Sequence, residues 1–200
     1  MPTVASRRRK VILTLPDVTV ALVTDSGVFS ADAVDPGTKL LLLDGPSPPT
    51  GAHHLLDLGC GYGPIAITLS LRAPDATVWA VEVNQRARAL CAENAAVAGV
   101  QDRVRVVAPD EVPDDVLFEA LWSNPPVRVG KPVLHELLRT WLGRLGPHGT
   151  AHLVVHKHLG ADSLARWLAG QGWTVERAGS RMGYRRLELD RSDVRPAEDP

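Results

Sequence analysis

The chain is poor in residues that announce a special compartment or a metal. Among its 200 residues there are only two cysteines, Cys60 and Cys91, with neither a CxxC nor a zinc-finger spacing. That excludes a disulfide framework and points to a reducing cytosol. An excess of one charge is also missing, with 22 Lys and Arg against 23 Asp and Glu. A nucleic-acid partner must therefore be met by a local basic patch, not by the field of the whole molecule. No apolar run reaches transmembrane length. The basic start "MPTVASRRRK" leads only into "VILTL", too short for a signal sequence and without a small-residue cleavage site, so a cytoplasmic protein with no membrane partner is expected. Internal repeats and low-complexity segments are absent. A chain of this length is expected to form one domain that buries roughly 70% of its unfolded surface without covalent staples.

What is present is alternation. "KVILTL-PD-VTVALV" (10–23) reads as two β-rich runs about Pro16-Asp17, a hairpin. In "VDPGTKLLLLDG", Asp35 is an N-cap and Pro36 a first helical residue, predicting a short helix over 36–44. A Gly/Pro loop follows. From His53 the strands "HLLDL", "TVWAVE", "RVRVV", "LFEALW" and "TAHLVV" interleave with helices over 63–73, 84–99, 133–145 and 162–168. Strands separated by helices predict an α/β fold with a mainly parallel sheet covered on both faces. "WTVERA" and "YRRLEL" are joined by only "GSRMG", too short for a helical crossover, so an antiparallel pair ends the sheet. We divide the chain into an N-terminal lead (1–52: basic tail, β-hairpin, short helix) packed on a catalytic domain (53–190), and a polar tail (191–200) expected to be disordered.

Open parallel sheets bind ligands beyond the carboxyl ends of their strands. Each candidate motif falls at such an end. "DLGCGYGPIA" runs strand, Gly59, Gly61, Gly63, helix, which lets a ligand approach the backbone. It is GxGxG, not the dinucleotide GxGxxG. Asp57 immediately before it would repel a pyrophosphate and suits a cationic nucleoside-type ligand. Glu82, ending the next strand, is placed to take the two hydroxyls of a ribose, or else is a solvated acid at a helix start. Asn84 beside it caps the next helix, and Cys60 offers a small side chain within the loop. Asp110 is placed to accept from an adenine amino group, although Asp is common in Pro-containing loops.

The stretch "ALWSNPPVRVGK" closes the set. Pro125 and Pro126 cannot continue a ladder, so the strand stops there. Asn124 offers a side-chain carbonyl and Pro125 a backbone carbonyl that no ladder partner claims. Two acceptors side by side suit an exocyclic NH2 group, whose lone pair they would aim at an electrophile roughly 3 to 3.5 Å away. The plain alternative is a turn, which Asn-Pro usually makes. Arg128 and Lys131 beside the site, and Arg7, Arg8, Arg9 and Lys10 at the start, are candidate phosphate contacts or solvated charges. His152, His156 and His158 alternate on a strand, but no acid or Cys completes a metal set, and no metal is expected. Nucleophilic chemistry at Cys60 would need a partner His that the sequence does not place.

"DLGCGYGP", the acid after the next strand and "SNPP" after the fourth together resemble class I S-adenosylmethionine (AdoMet)-dependent methyltransferases that modify amino nitrogens. "GVFSADAVDPGTKLLL", "SNPPVRVGK" and "GSRMGYRRLEL" narrow the resemblance to the methyltransferase small-domain family, over about residues 10–190. Better-known members of that family methylate the guanine N2 amine of small-subunit ribosomal RNA. The resemblance implies a Rossmann-like seven-stranded sheet and AdoMet over Asp57 to Gly63 with its ribose on Glu82. It puts Phe29 and Thr38 in the cofactor wall and the target amine at Asn124, Pro125 and Pro126, with Asn124 facing the cofactor as well. Ribosomal RNA or the 30S subunit is the implied partner. Many relatives carry an aromatic residue after the two prolines to stack on the base, where this chain has Val127. Longer relatives also carry a second, degenerate domain in front of the catalytic one read here. A protein glutamine, an adenine, a small-molecule amine, or a non-catalytic AdoMet- or RNA-binding role are the alternatives.

Overall fold

Strands β1 (Arg9–Thr14) and β2 (Thr19–Thr24) pair antiparallel about Pro16-Asp17 in a computed structural model that describes residues 5–191. Leu15 N–H donates to the Val18 carbonyl at 2.8 Å and closes the turn. Alternation decides the faces: Val11, Leu13 and Leu22 are buried while Ile12 points to solvent. Helix α1 (Pro36–Asp44) starts where the Asp35 carboxylate accepts the Thr38 N–H at 3.0 Å, with Pro36 in the first turn.

The main sheet comprises β3 (His54–Leu58), β4 (Thr77–Val81), β5 (Val104–Val107), β6 (Phe118–Ser123), β7 (Leu145–His156), β8 (Trp173–Arg181) and β9 (Tyr184–Arg191). Their order is β5-β4-β3-β6-β7-β9-β8. The first five are parallel, and β9 runs antiparallel between β7 and β8. This is the Rossmann-like seven-stranded sheet expected from the sequence. Strand order reverses at β3, with β4 and β5 on one side and β6 and β7 on the other, so the crevice opens at the carboxyl ends of β3, β4 and β6. Helices α2 (Pro64–Arg72) and α3 (Gln85–Val97) cover one face, and α4 (Lys131–Leu142) and α5 (Ala161–Gly170) the other.

Several boundaries differ from expectation: α5 covers 161–170 rather than 162–168, and β8 runs on to Arg181, leaving only Met182 and Gly183 before β9. Helix α4 covers 131–142 rather than 133–145, because Gly143 caps it and Leu145 turns into β7, where it pairs with Phe118 and is buried. Strand β7 therefore starts five residues before the predicted "TAHLVV" and carries a register shift opposite Phe118 and Ala120.

The N-terminal lead shares its core with the sheet. Leu13, Leu22, Leu41 and Leu42 belong to the same buried cluster as Leu55, Ala80 and Trp122. Asn94 of α3, itself buried, fastens β2: its Oδ1 accepts the Val23 N–H at 2.7 Å, and its Nδ2 donates to the Val23 and Tyr62 carbonyls, both at 2.8 Å. Arg72 of α2 holds the hairpin turn through a two-pronged contact with Asp17 at 2.7 and 2.9 Å. Arg191 closes β9, and the tail expected over 191–200 otherwise lies outside the described residues. Among the described residues no helix is long and apolar enough to cross a membrane.

Candidate active site

A cavity of about 740 Å³ opens at the strand ends. The loop after β3 forms its floor. Gly59 and Gly61 stand at φ +76° and +56°, with open space where a Cβ would be, so the backbone itself is offered to a ligand. Gly59 N–H and Cys60 N–H both donate to the Val81 carbonyl, at 2.8 and 3.1 Å, which anchors the loop to the end of β4. Glu82 grips the loop from the other side. Its Oε2 accepts the Gly61 N–H at 3.0 Å and its Oε1 the Asn84 N–H at 2.9 Å. Each carboxylate oxygen keeps a second lone pair for a ligand hydroxyl.

Asp57 lies beneath this loop, fully buried, and is not part of the cavity wall. The N-cap residue of α2 is Gly63, which has no side chain, and Asp57 supplies the missing cap from β3. Its Oδ2 accepts the Ala66 N–H at 2.8 Å. Its Oδ1 is buried with no hydrogen-bond partner. Burial pushes the carboxyl up to about 8, against the lowering by the Ala66 N–H, and the negative charge of Glu82 adds to the rise. Cys60 lines the cavity but is buried. Contact with the Cys91 thiol, then burial, then the nearby acids push its thiol well above the usual range, which disfavours the nucleophilic thiolate.

The far wall comes from the end of β6. Ser123 Oγ donates to the Leu58 carbonyl at 2.7 Å and joins the ends of β6 and β3, which sets Asn124 beside the glycine loop. Asn124 Nδ2 donates to Asp35 Oδ1 at 2.7 Å and to Thr38 Oγ1 at 3.0 Å. A carboxylate only accepts, so these contacts assign the amide: NH2 towards α1, Oδ1 left for the cavity. The Pro125 carbonyl departs from expectation. No ladder partner takes it, but the Val127 N–H does, at 2.8 Å, across a tight turn at Pro126 (φ −75°, ψ 70°). One of its two lone pairs remains.

Phe29, Thr38, Gly59, Cys60, Gly61, Glu82, Asn84, Asn124, Pro125, Pro126, Val127 and Arg128 all line this cavity. Asp57, Gly63, Asp110 and Lys131 do not. Asp110 is exposed, and its neighbour Pro109 forms the wall instead. Arg128 and Lys131 meet no acid among the described residues, whereas Arg8 pairs with Glu93 and Arg9 with Asp32, so the first basic run is partly engaged on the protein itself. Sequence reasoning missed Asp35 as a wall residue, together with Tyr62, Tyr184, His156, His158 and Leu159. Tyr184 OH donates to Asp35 Oδ2 at 3.2 Å, and burial followed by the charge of Asp35 raises its phenol, which stays protonated. The position of His156 at the end of β7 was the available signal, since every other strand end in the crevice carries a wall residue. His152 is separate: it packs on Trp122 with ring centroids 4.9 Å apart, and burial, then Arg186, push it down to about 4. No group of three metal-ligating side chains occurs among the described residues.

The arrangement fits a cationic nucleoside cofactor. It offers two glycine backbones open to close approach, the acceptor oxygens of Glu82 and apolar walls from Leu58, Ile65, Val81 and Val83, with Asp57 Oδ1 unpartnered beneath.

Residues 19–185 match the model of the methyltransferase small domain. The chain is 34% identical over 165 residues to YbxB, an uncharacterized protein of Bacillus subtilis, covering 81% of both chains. It is 36% identical over 148 residues to the ribosomal RNA small subunit methyltransferase C of Hahella chejuensis, covering 70% of this chain and 42% of that one. Among solved structures, the 16S rRNA N2 G1207 methyltransferase of T. thermophilus, in complex with AdoMet and guanosine, aligns with a TM-score of 0.79 at 22% identity. That alignment covers 96% of this chain and 52% of the other. The chain thus spans about half the length of the ribosomal RNA methyltransferases it matches.

Proposed function

The chain belongs to the methyltransferase small-domain family, and from that premise we propose that it transfers a methyl group from AdoMet to an exocyclic amine of a nucleobase, guanine N2 in small-subunit ribosomal RNA. The observation that carries the reading is the orientation of Asn124, whose amide oxygen is left for the cavity between the glycine loop and the Pro125 carbonyl. The Hahella and T. thermophilus relatives, both ribosomal RNA methyltransferases, support the choice of RNA, and the T. thermophilus enzyme, which acts on N2 of G1207, supports the choice of N2.

The parts divide the work as follows. Gly59, Gly61 and Glu82 would hold the cofactor's nucleoside. When bound, AdoMet supplies a methyl group on a positively charged sulfur. Asn124 Oδ1 and the free lone pair of the Pro125 carbonyl accept the two amine hydrogens, which turns the nitrogen lone pair out of conjugation with the base and fixes its direction. The same two dipoles face the positive charge that grows on the nitrogen, so the chain needs no strong general base. Apolar, half-buried Val127 and Leu137 keep water from that end of the cavity. Arg128 at the mouth, with Lys131 nearby, offers phosphate contacts that weaken as salt rises.

Val127 favours a second reading. Without an aromatic ring at that position the chain has lost a stacking surface for a base, and the same clamp would serve any planar NH2 group, such as a glutamine amide or an adenine. Incubation with methyl-labelled AdoMet and unmodified 30S particles, 16S RNA, 50S particles or a total protein extract separates the readings. N2-methylguanosine in the 30S or 16S sample is the expected product. Label in protein, or in N6-methyladenosine, overturns the acceptor.

A further inference from the structure

Three elements far apart in the chain converge on one carboxylate. Asp35 precedes α1, Asn124 follows β6 and Tyr184 opens β9. The Asn124 amide donates to Asp35 Oδ1 at 2.7 Å and the Tyr184 hydroxyl to Oδ2 at 3.2 Å. We propose that Asp35 is a positioning residue of the methyl transfer, fixing Asn124 with its carbonyl oxygen towards the cavity. The inference rests on the amine-clamp reading above.

An asparagine amide is nearly symmetric in shape, and rotation by half a turn exchanges its oxygen for its NH2. In the rotated form the clamp would present donors to the donors of the target amine. Thr38 cannot prevent this, because its hydroxyl both donates and accepts. Asp35 can, because its carboxylate only accepts and would set oxygen against oxygen in the rotated form. The cap of α1 does not by itself call for a carboxylate, since Asn or Ser would accept the Thr38 N–H equally well.

Gly37 is a second, independent sign. It is buried at the second position of α1, where glycine is a poor helix former and its φ is not left-handed. A Cβ there would stand 2.5 Å from two ring carbons of Tyr184 and 2.9 Å from Asp35 Oδ1. The missing side chain is the room that Tyr184 needs to reach Asp35. Helix propensity has been yielded to this contact.

The test is a double-mutant cycle of Asp35→Asn and Asn124→Ala, read by single-turnover methyl transfer, AdoMet affinity and thermal midpoint. Asn at position 35 keeps the helix cap but presents either a donor or an acceptor to Asn124. Asp35→Asn should lower the transfer rate tenfold or more, with AdoMet affinity and thermal midpoint nearly unchanged. It should do nothing further once Asn124 is Ala. An equal loss in both backgrounds, or none in either, overturns the proposal. Gly37→Ala should lower the rate in the same way while keeping α1, and full activity would contradict the shared carboxylate. Should Asn124→Ala be too slow to measure, the Asn124 side-chain amide signals in selectively labelled protein decide. They should exchange slowly in the wild type and quickly in Asp35→Asn, and identical exchange overturns the proposal. A wild-type rate in Asn124→Ala alone would instead sink the clamp itself.

Discussion

Glu82 accepts the backbone N–H of Gly61 at 3.0 Å, so the acid proposed for the cofactor ribose is also the residue that shapes the glycine loop. Its other oxygen is held by the Asn84 N–H at 2.9 Å. Glu82→Gln offers one carbonyl oxygen where two acceptors were needed, and one backbone amide must be released. A hydrogen bond to a charged group is worth about 1.5–3 kcal/mol, so AdoMet affinity should fall about tenfold or more. Titration calorimetry checks this, and an unchanged dissociation constant would remove Glu82 from the cofactor site.

Asp57 makes stability depend on pH. The folded protein keeps a proton on this carboxyl up to about 8, while an unfolded chain, with the ordinary value of 3.8, has already released it. Where the folded state binds the extra proton, stability falls as pH rises. The contribution of Asp57 is therefore fully present below about 4 and is lost as pH rises towards 8. Thermal unfolding of the wild type should show this decline across neutral pH, and Asp57→Asn should flatten it. A profile identical in the two proteins would contradict the assignment. A cationic ligand favours the ionised form of Asp57, so AdoMet binding at pH 7 should release protons, seen as a buffer-dependent binding enthalpy that Asp57→Asn reduces.

The lead and the catalytic domain should unfold together. Asn94 fills three hydrogen bonds to the backbone of Val23 and Tyr62 in a buried position. Asn94→Ala leaves those groups unpaired, at about 1–3 kcal/mol for each group not rescued by water, and should lower stability in one cooperative transition. Two separate transitions in denaturant would show the hairpin to be an independent unit.

Both thiols should be silent in the folded protein. Cys60 and Cys91 are buried, and the Cys60 thiol is pushed well up by its neighbour. A thiol-disulfide reagent at pH 8 should label neither until denaturant is added. Rapid labelling of one thiol would reopen chemistry at Cys60.

Much of this was legible in the sequence, because the signals are local. Asp35 followed by Pro36 predicts the start of α1, and Pro16-Asp17 between two β-rich runs predicts the hairpin. The glycine loop, Glu82 and Asn124 stand at strand ends, where the doubly wound topology brings them together whatever the strand lengths. What stayed hidden depends on partners distant in the chain. The cap rule gives Asp35 a sufficient local reason to be there, and nothing nearby hints at Asn124, 89 residues on. Asn94 looks like one more polar position on α3 until Val23 is placed against it, 71 residues away. For the Pro125 carbonyl the sequence shows only that no strand can claim it, whereas a three-residue turn through Pro126 does. Leu145 belongs to β7 and not to α4, and apolar character alone does not separate the end of a helix from the start of a strand.

The central claim is that Asn124 holds the target amine, and it is tested most directly by one pair of measurements on Asn124→Ala. Methyl transfer to 30S particles should fall about a hundredfold or more, as for loss of one preorganised polar group in an active site. AdoMet affinity by calorimetry should stay within a few fold of the wild type. Turnover at the wild-type rate with AdoMet still bound would contradict the account.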